Sequence, residues 1–211
     1  MTDSSKFATP QEAFWAGQFG SEYIGRNDSN QLLASNLNFF TKALKQAGRL
    51  SSVLEFGANI GMNLKALQLL YPGILLRGIE INPDAAKQLG DLIGLANVHE
   101  GSIFDYPVKD KVDLSMIKGV LIHINPEMLH VVYEKLYQAT NRYILVSEYY
   151  NPSPVAISYR GHADRLFKRD FAGEMLDKYP DLSLVDYGFA YRRDPAFPQD
   201  DITWFLMEKR S

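Results

Sequence analysis

The chain has 211 residues, 46% of them hydrophobic, a formal net charge of −3 and no cysteine. That is enough apolar sequence for one α/β domain with a sizeable core. The missing cysteines exclude disulfides, thiolate zinc sites and cysteine nucleophiles and fit a reducing interior, and the small negative charge gives no electrostatic reason to expect a nucleic-acid partner.

The opening "MTDSSKFATPQEAFWAGQF" lacks the basic-then-apolar order of a signal peptide, and no run approaches the ~18 apolar residues of a membrane span, so a soluble, cytoplasmic protein is expected. Residues 10–26 read as a short helix or helix-loop with an aromatic face, since Trp15, Phe19 and Tyr23 recur every four residues. Asp28 and Gln31 suggest a capping box. After it, Leu33, Leu37, Phe40, Leu44 and Ala47 alternate in spacings of four and three, an amphipathic helix that Gly48 would stop. From residue 51 strands and helices alternate. "SVLEF" is the first strand, Gly61–Leu70 a helix, Pro72-Gly73 a break and Ile74–Ile81 the second strand. Asn82-Pro83 opens a helix in the favoured cap and first-turn order. "ANVHEG" holds a third strand, Val112–Ile117 a fourth, Asn125-Pro126 opens another helix, and the nearly continuous apolar run Arg142–Tyr150 is a fifth strand. A polar segment, Asn151–Asp164, then leads to a helix expected near Arg165–Lys178. "LSLVDYGF" and "ITWFLMEK" close the chain as two strands whose connection, Ala190–Asp201, is too irregular for a crossover helix, so they should pair antiparallel. The pattern predicts a doubly wound, mostly parallel α/β sheet ending in an antiparallel hairpin, with helices ahead of it.

Ligands of open α/β sheets bind beyond the carboxyl ends of the strands. Glu55, Gly57 and Gly61 follow the first strand there. Glu80 ends the second, 23 positions after Gly57, close to the ~20-residue offset of a ribose-binding acid. Gly101-Ser102-Ile103-Phe104 follow the third. Each feature alone has a purely structural reading, a tight turn or a solvated strand end; their joint register points to a nucleoside-bearing cofactor.

In "VLEFGANIG", "GIEIN", "EGSIFD" and "DLSMIKGVLIHI" the chain resembles the class I S-adenosylmethionine-dependent methyltransferases over residues 51–208. The resemblance implies a Rossmann-like seven-stranded sheet with a reversed final hairpin, and S-adenosyl-L-methionine as cofactor. By similarity, Glu55, Gly57, Asn59 and Gly61 would line its methionine part, Glu80 and Ile81 its ribose, Ser102, Ile103 and Phe104 its adenine, and the Lys118-Gly119 backbone the floor. "FWAGQFGSEYIGRN", "KGVLIHINPE", "SEYYNPSPVAISYRGHADRLFKRDFAGEML" and "PQDDITWFLMEK" look more closely like small methyltransferases associated with pseudaminic acid biosynthesis, which implies a nonulosonic sugar, or its nucleotide-linked form, as acceptor. A single domain is expected, residues 1–48 a helical cap or lid and 49–211 the core.

Methyl transfer needs positioning above all, and a hydroxyl acceptor also benefits from a base. His123 is the candidate base; its apolar neighbours equally suit a packing histidine. Tyr149, Tyr150, Tyr159, Arg160, Lys168 and Arg169 form a basic and aromatic cluster suited to a small anionic acceptor, or, for the helical members, a solvated face. Trp15, Phe19 and Tyr23 could form a lid facing the sulfonium or the buried side of a docking helix, with Arg26 reaching the cofactor carboxylate. The chain has no metal-ligand spacing. Rival readings are an NAD(P)-dependent oxidoreductase or epimerase, disfavoured by Asn59 where a third glycine would stand, and a methyltransferase acting on another small carboxylate, phosphate or protein. Lys118-Gly119-Val120-Leu121 is unlike the motif that grips a flipped adenine.

Overall fold

A computed structural model describes residues 7–25, 29–159 and 162–210. Two short helices, α1 (Pro10–Ala16) and α2 (Gln18–Ile24), break at Gly17 and precede α3 (Asn30–Ala43). Then follow β1 (Ser52–Phe56), α4 (Met62–Leu70), β2 (Leu75–Glu80), α5 (Pro83–Ile93), β3 (Val98–Glu100), β4 (Val112–Lys118), α6 (Leu129–Ala139) and β5 (Thr140–Glu148). The chain ends with β6 (Val155–Tyr159), β7 (His162–Lys168), α7 (Phe171–Lys178), β8 (Leu182–Ala190) and β9 (Ile202–Lys209).

Seven strands form one sheet in the order β3-β2-β1-β4-β5-β9-β8. The first five are parallel, and β9 runs antiparallel to both β5 and β8. The strand alternation explains the two-sided core. Leu114 and Met116 of β4 pack towards α3 and α4 with Phe40, Leu64 and Leu67, while Ile117 packs towards α6 and α7 with Val132, Leu136 and Met175. Burying such side chains contributes roughly 1.5–3 kcal/mol each. Because β1 lies between β2 and β4, the chain reverses its direction of winding there, and a crevice opens above the carboxyl ends of β1 and β4.

Three local expectations are corrected. The α3 cap is Ser29, whose Oγ accepts from the Leu32 N–H at 3.0 Å; Gln31 instead donates to the Ala196 carbonyl at 3.1 Å, and Asp28 lies outside the described residues. The helix also stops at Ala43, ahead of the expected Gly48. Most consequentially, residues 155–168 are the antiparallel hairpin β6–β7, with Tyr159 paired to His162, where the sequence reading had a polar segment and the start of a helix. The alternation of Val155, Ile157 and Tyr159 is a strand signal. The helix begins only at Phe171, where Asp170 Oδ1 accepts from the Gly173 N–H at 2.8 Å.

Candidate active site

The crevice holds a cavity of about 260 Å³. Its first wall is the turn from β1 into α4. Gly57 has φ +77°, and a Cβ there would come within 2.6 Å of Val120; glycine is required on both counts. Asn59 takes the left-handed region, φ +49°, where asparagine is several-fold enriched. Its Oδ1 accepts from the Ile60 N–H at 2.7 Å. The turn's other amides are also occupied: those of Gly57 and Ala58 donate to the Ile79 carbonyl, that of Asn59 to Glu80, and that of Gly61 to the Ala58 carbonyl.

Glu80 forms the second wall, only 8% exposed. Its Oε2 accepts from Asn59 N at 2.7 Å and its Oε1 from Asn82 N at 2.8 Å. Burial pushes its pKa up, and these N–H bonds oppose the shift. Each oxygen retains acceptor capacity, which suits a vicinal diol. Ser102, Ile103 and Phe104 continue the wall. Ser102 Oγ bonds Glu12, which also closes a capping box with Thr9 at the start of α1. That ties the N-terminal helices to the loop after β3. Asn82 ties them a second time: its Oδ1 caps α5 while its Nδ2 donates to the Trp15 and Gly17 carbonyls, both at 3.3 Å. Trp15 and Tyr23 thereby face the cavity.

The floor follows β4. At Gly119, φ +68°, a Cβ would project into open space. The next turn, Leu121–His123, hangs from buried Glu148, whose Oε1 accepts the Val120 and Leu121 N–H groups, each at 2.9 Å. Burial raises the Glu148 carboxyl to about 7 despite those bonds and nearby Lys118. The turn presents His123 to the cavity, its ring 4.8 Å from that of Trp15. At the end nearest α3 stand Asn36, Asn63, Lys118, Gln199 and Asp200. Behind Asn63, Glu55 is 1% exposed and accepts from Asn63 Nδ2 at 2.6 Å; burial raises it to about 8.

No protein-family model matches this chain, and no curated protein does. Solved structures do. It aligns with the 1,6-didemethyltoxoflavin-N1-methyltransferase of Burkholderia thailandensis, bound to its named ligand and S-adenosylhomocysteine, at TM-score 0.70 and 18% identity, covering 97% of this chain and 92% of that one. The magnesium protoporphyrin IX methyltransferase of Synechocystis PCC 6803 aligns at TM-score 0.66 and 14% identity, covering 97% and 99%. The mitomycin 7-O-methyltransferase aligns at TM-score 0.64 and 13% identity over 95% of this chain, which spans only 61% of that enzyme. The chain has the class I methyltransferase fold.

Within the methyltransferase fold, the sequence-nominated residues separate cleanly. Gly57, Asn59, Glu80, Ile81, Ser102, Ile103, Phe104, Lys118, Gly119, His123, Trp15 and Tyr23 all reach the cavity wall. Glu55 and Gly61 do not. Glu55 acts through Asn63, and Gly61 faces α5, where a Cβ would meet Leu89 at 2.7 Å. Phe19 does not line the cavity; it stacks on Phe14 at 4.2 Å and meets Trp15 edge-on at 5.3 Å. Of the basic cluster, Arg169 pairs with Glu174 at 2.5 Å and Lys168 lies 5.1 Å from the Tyr149 ring, and neither lines the cavity. Tyr150 is exposed beside Phe205. Arg26, Arg160 and the Tyr159 side chain lie outside the described residues. Asn36, Glu12, Gln199 and Asp200 are wall residues the sequence reading missed. Two had signals. Thr9-Pro10-Gln11-Glu12 is a capping box in plain text, and Asn36 sits three residues from Leu33 and four from Phe40, a polar residue on an apolar stripe.

Proposed function

We propose that this chain is an S-adenosylmethionine-dependent methyltransferase acting on an oxygen or nitrogen of a small molecule. The observation that carries the cofactor is the Gly57–Gly61 turn. Its five amides are all bonded within the protein, so it offers none to a pyrophosphate, which a dinucleotide site needs. Glu80 retains room for a ribose diol, and the apolar Ile103 and Phe104 suit an adenine. The donor set thus fits a nucleoside without phosphates.

When bound, S-adenosylmethionine supplies a methyl group activated on a sulfonium. The chain's own residues then position the acceptor, exclude water and take a proton. Trp15 and Tyr23 cover the cavity, and their ring faces suit a cation. His123, buried beside Trp15 on the cavity wall, is the base for a hydroxyl acceptor. In this reading residues 1–48 act as a cap over a core of 49–211.

The acceptor we favour is a nonulosonic sugar or its nucleotide-linked form. Its support is the likeness of "KGVLIHINPE" and the 147–176 segment to methyltransferases associated with pseudaminic acid biosynthesis. The anionic character of the acceptor draws little support from Lys168 and Arg169, which do not line the cavity. Calorimetric titration of the full chain with S-adenosylhomocysteine and, separately, NADH and NADPH tests the cofactor. Saturable binding of the first alone is expected; binding of a dinucleotide without S-adenosylhomocysteine would overturn it. Labelled methyl transfer to nonulosonic acids and their nucleotide-linked forms tests the acceptor.

A further inference from the structure

Lys118 closes β4 at the centre of the crevice. Phe56 of β1 pairs with Ile79 on one side and Ile117 on the other, so the next residues of those strands, Glu80 and Lys118, stand level. Two strand spacings separate them, about 10 Å. Lys118 follows the face of Leu114 and Met116, and its ammonium lies 5.5 Å from the Phe39 ring of α3. It lines the cavity, yet among the described residues no carboxylate lies within ion-pair distance. Glu55, Asp200 and Glu148 act on it only from farther away. A desolvated cation without a direct partner is costly, and a bound anion would relieve that cost. Beside it, Asn36 and Gln199 are both buried, Gln199 Nε2 donates to Asn36 Oδ1 at 2.8 Å, and Gln199 Oε1 has no partner. This end of the cavity therefore offers one cation for a carboxylate, and Asp200 and amide oxygens for an ammonium.

We propose that the Lys118 side chain binds the α-carboxylate of the cofactor's methionine end. The inference rests on the cofactor reading above and adds a second anchor to it. Glu80 takes the ribose and Lys118 the amino-acid terminus, with Gly57 under the thioether chain that spans them.

The test compares two ligands that share adenine, ribose and thioether and differ in the amino-acid end. S-adenosylhomocysteine carries it; 5′-methylthioadenosine does not. Lys118→Gln should weaken S-adenosylhomocysteine by about 10- to 100-fold, the range for a hydrogen bond to a charged group, and leave 5′-methylthioadenosine within about two-fold. Lys118→Arg, which keeps the charge, should retain most of the preference and controls for folding. Equal losses for both ligands, or none for either, overturn this proposal while the cofactor reading stands. Failure of the unaltered chain to bind either ligand overturns both.

Discussion

His123 shows how a residue's chemistry depends on what holds it. Its turn hangs from Glu148 through two backbone N–H groups, and Trp15 covers its ring. A base that fixed should act on an acceptor proton and contribute little to cofactor binding. His123→Ala is therefore expected to leave S-adenosylhomocysteine affinity within a few-fold and to lower turnover by ~10²-fold or more, the low end for losing a general base. Steady-state rates with unchanged turnover would reduce His123 to packing. At this scale much was legible. A strand, two glycines and an acid about 20 residues on located Gly57 and Glu80. Asn59, which breaks the dinucleotide pattern, is itself informative, since it supplies a left-handed residue that also caps Ile60. Gln199 and Asp200 were not legible, because only the return of β9 beside β5 brings them to the cavity.

At the scale of elements, Asn82 is a polar joint between the N-terminal helices and the core. Its oxygen caps α5 and its amide nitrogen holds α1 and α2. Asp serves a helix cap as well as Asn, but a carboxylate would face the Trp15 and Gly17 carbonyls. Asn82→Asp should leave the melting temperature of the core nearly unchanged and speed amide exchange across Pro10–Ile24. Unaltered protection there would show that the aromatic packing and the Glu12–Ser102 and Ser21–Asp84 bonds suffice to hold these helices. Such a joint joins residues more than 60 positions apart, and local patterns carry no trace of it. The β6–β7 hairpin was missed for another reason. Asn151–Asp164 reads as a polar segment by composition, and the alternation of Val155, Ile157 and Tyr159 inside it rests on only three residues. The error matters, because β7 lies against the Leu121–His123 turn, so a hairpin neighbours the candidate base.

The whole molecule carries acids inside the sheet's carboxyl end. Glu148 rises to about 7 and Glu55 to about 8, each through burial. A carboxyl whose folded pKa lies above its unfolded value contributes stability that is full below the unfolded pKa and is lost as pH rises through the folded one. The effect is on the order of a few kcal/mol for a fully buried group. Glu148→Gln removes one such group and keeps an oxygen for the Val120 and Leu121 amides. Its melting temperature relative to the unaltered chain should climb as pH passes from about 5 to about 8; a difference independent of pH would contradict the assignment. The global architecture was the most legible level of all, because alternating strands and helices, followed by two strands without a helix, leave few ways to wind a sheet.

The chain's two tryptophans occupy unlike places. Trp204 is buried in β9, packed over Gly188, whereas Trp15 stands on the cavity wall against His123. Intrinsic emission is thus the sum of a buried reference and an indicator on the crevice wall, an optical gauge of occupancy that needs no label.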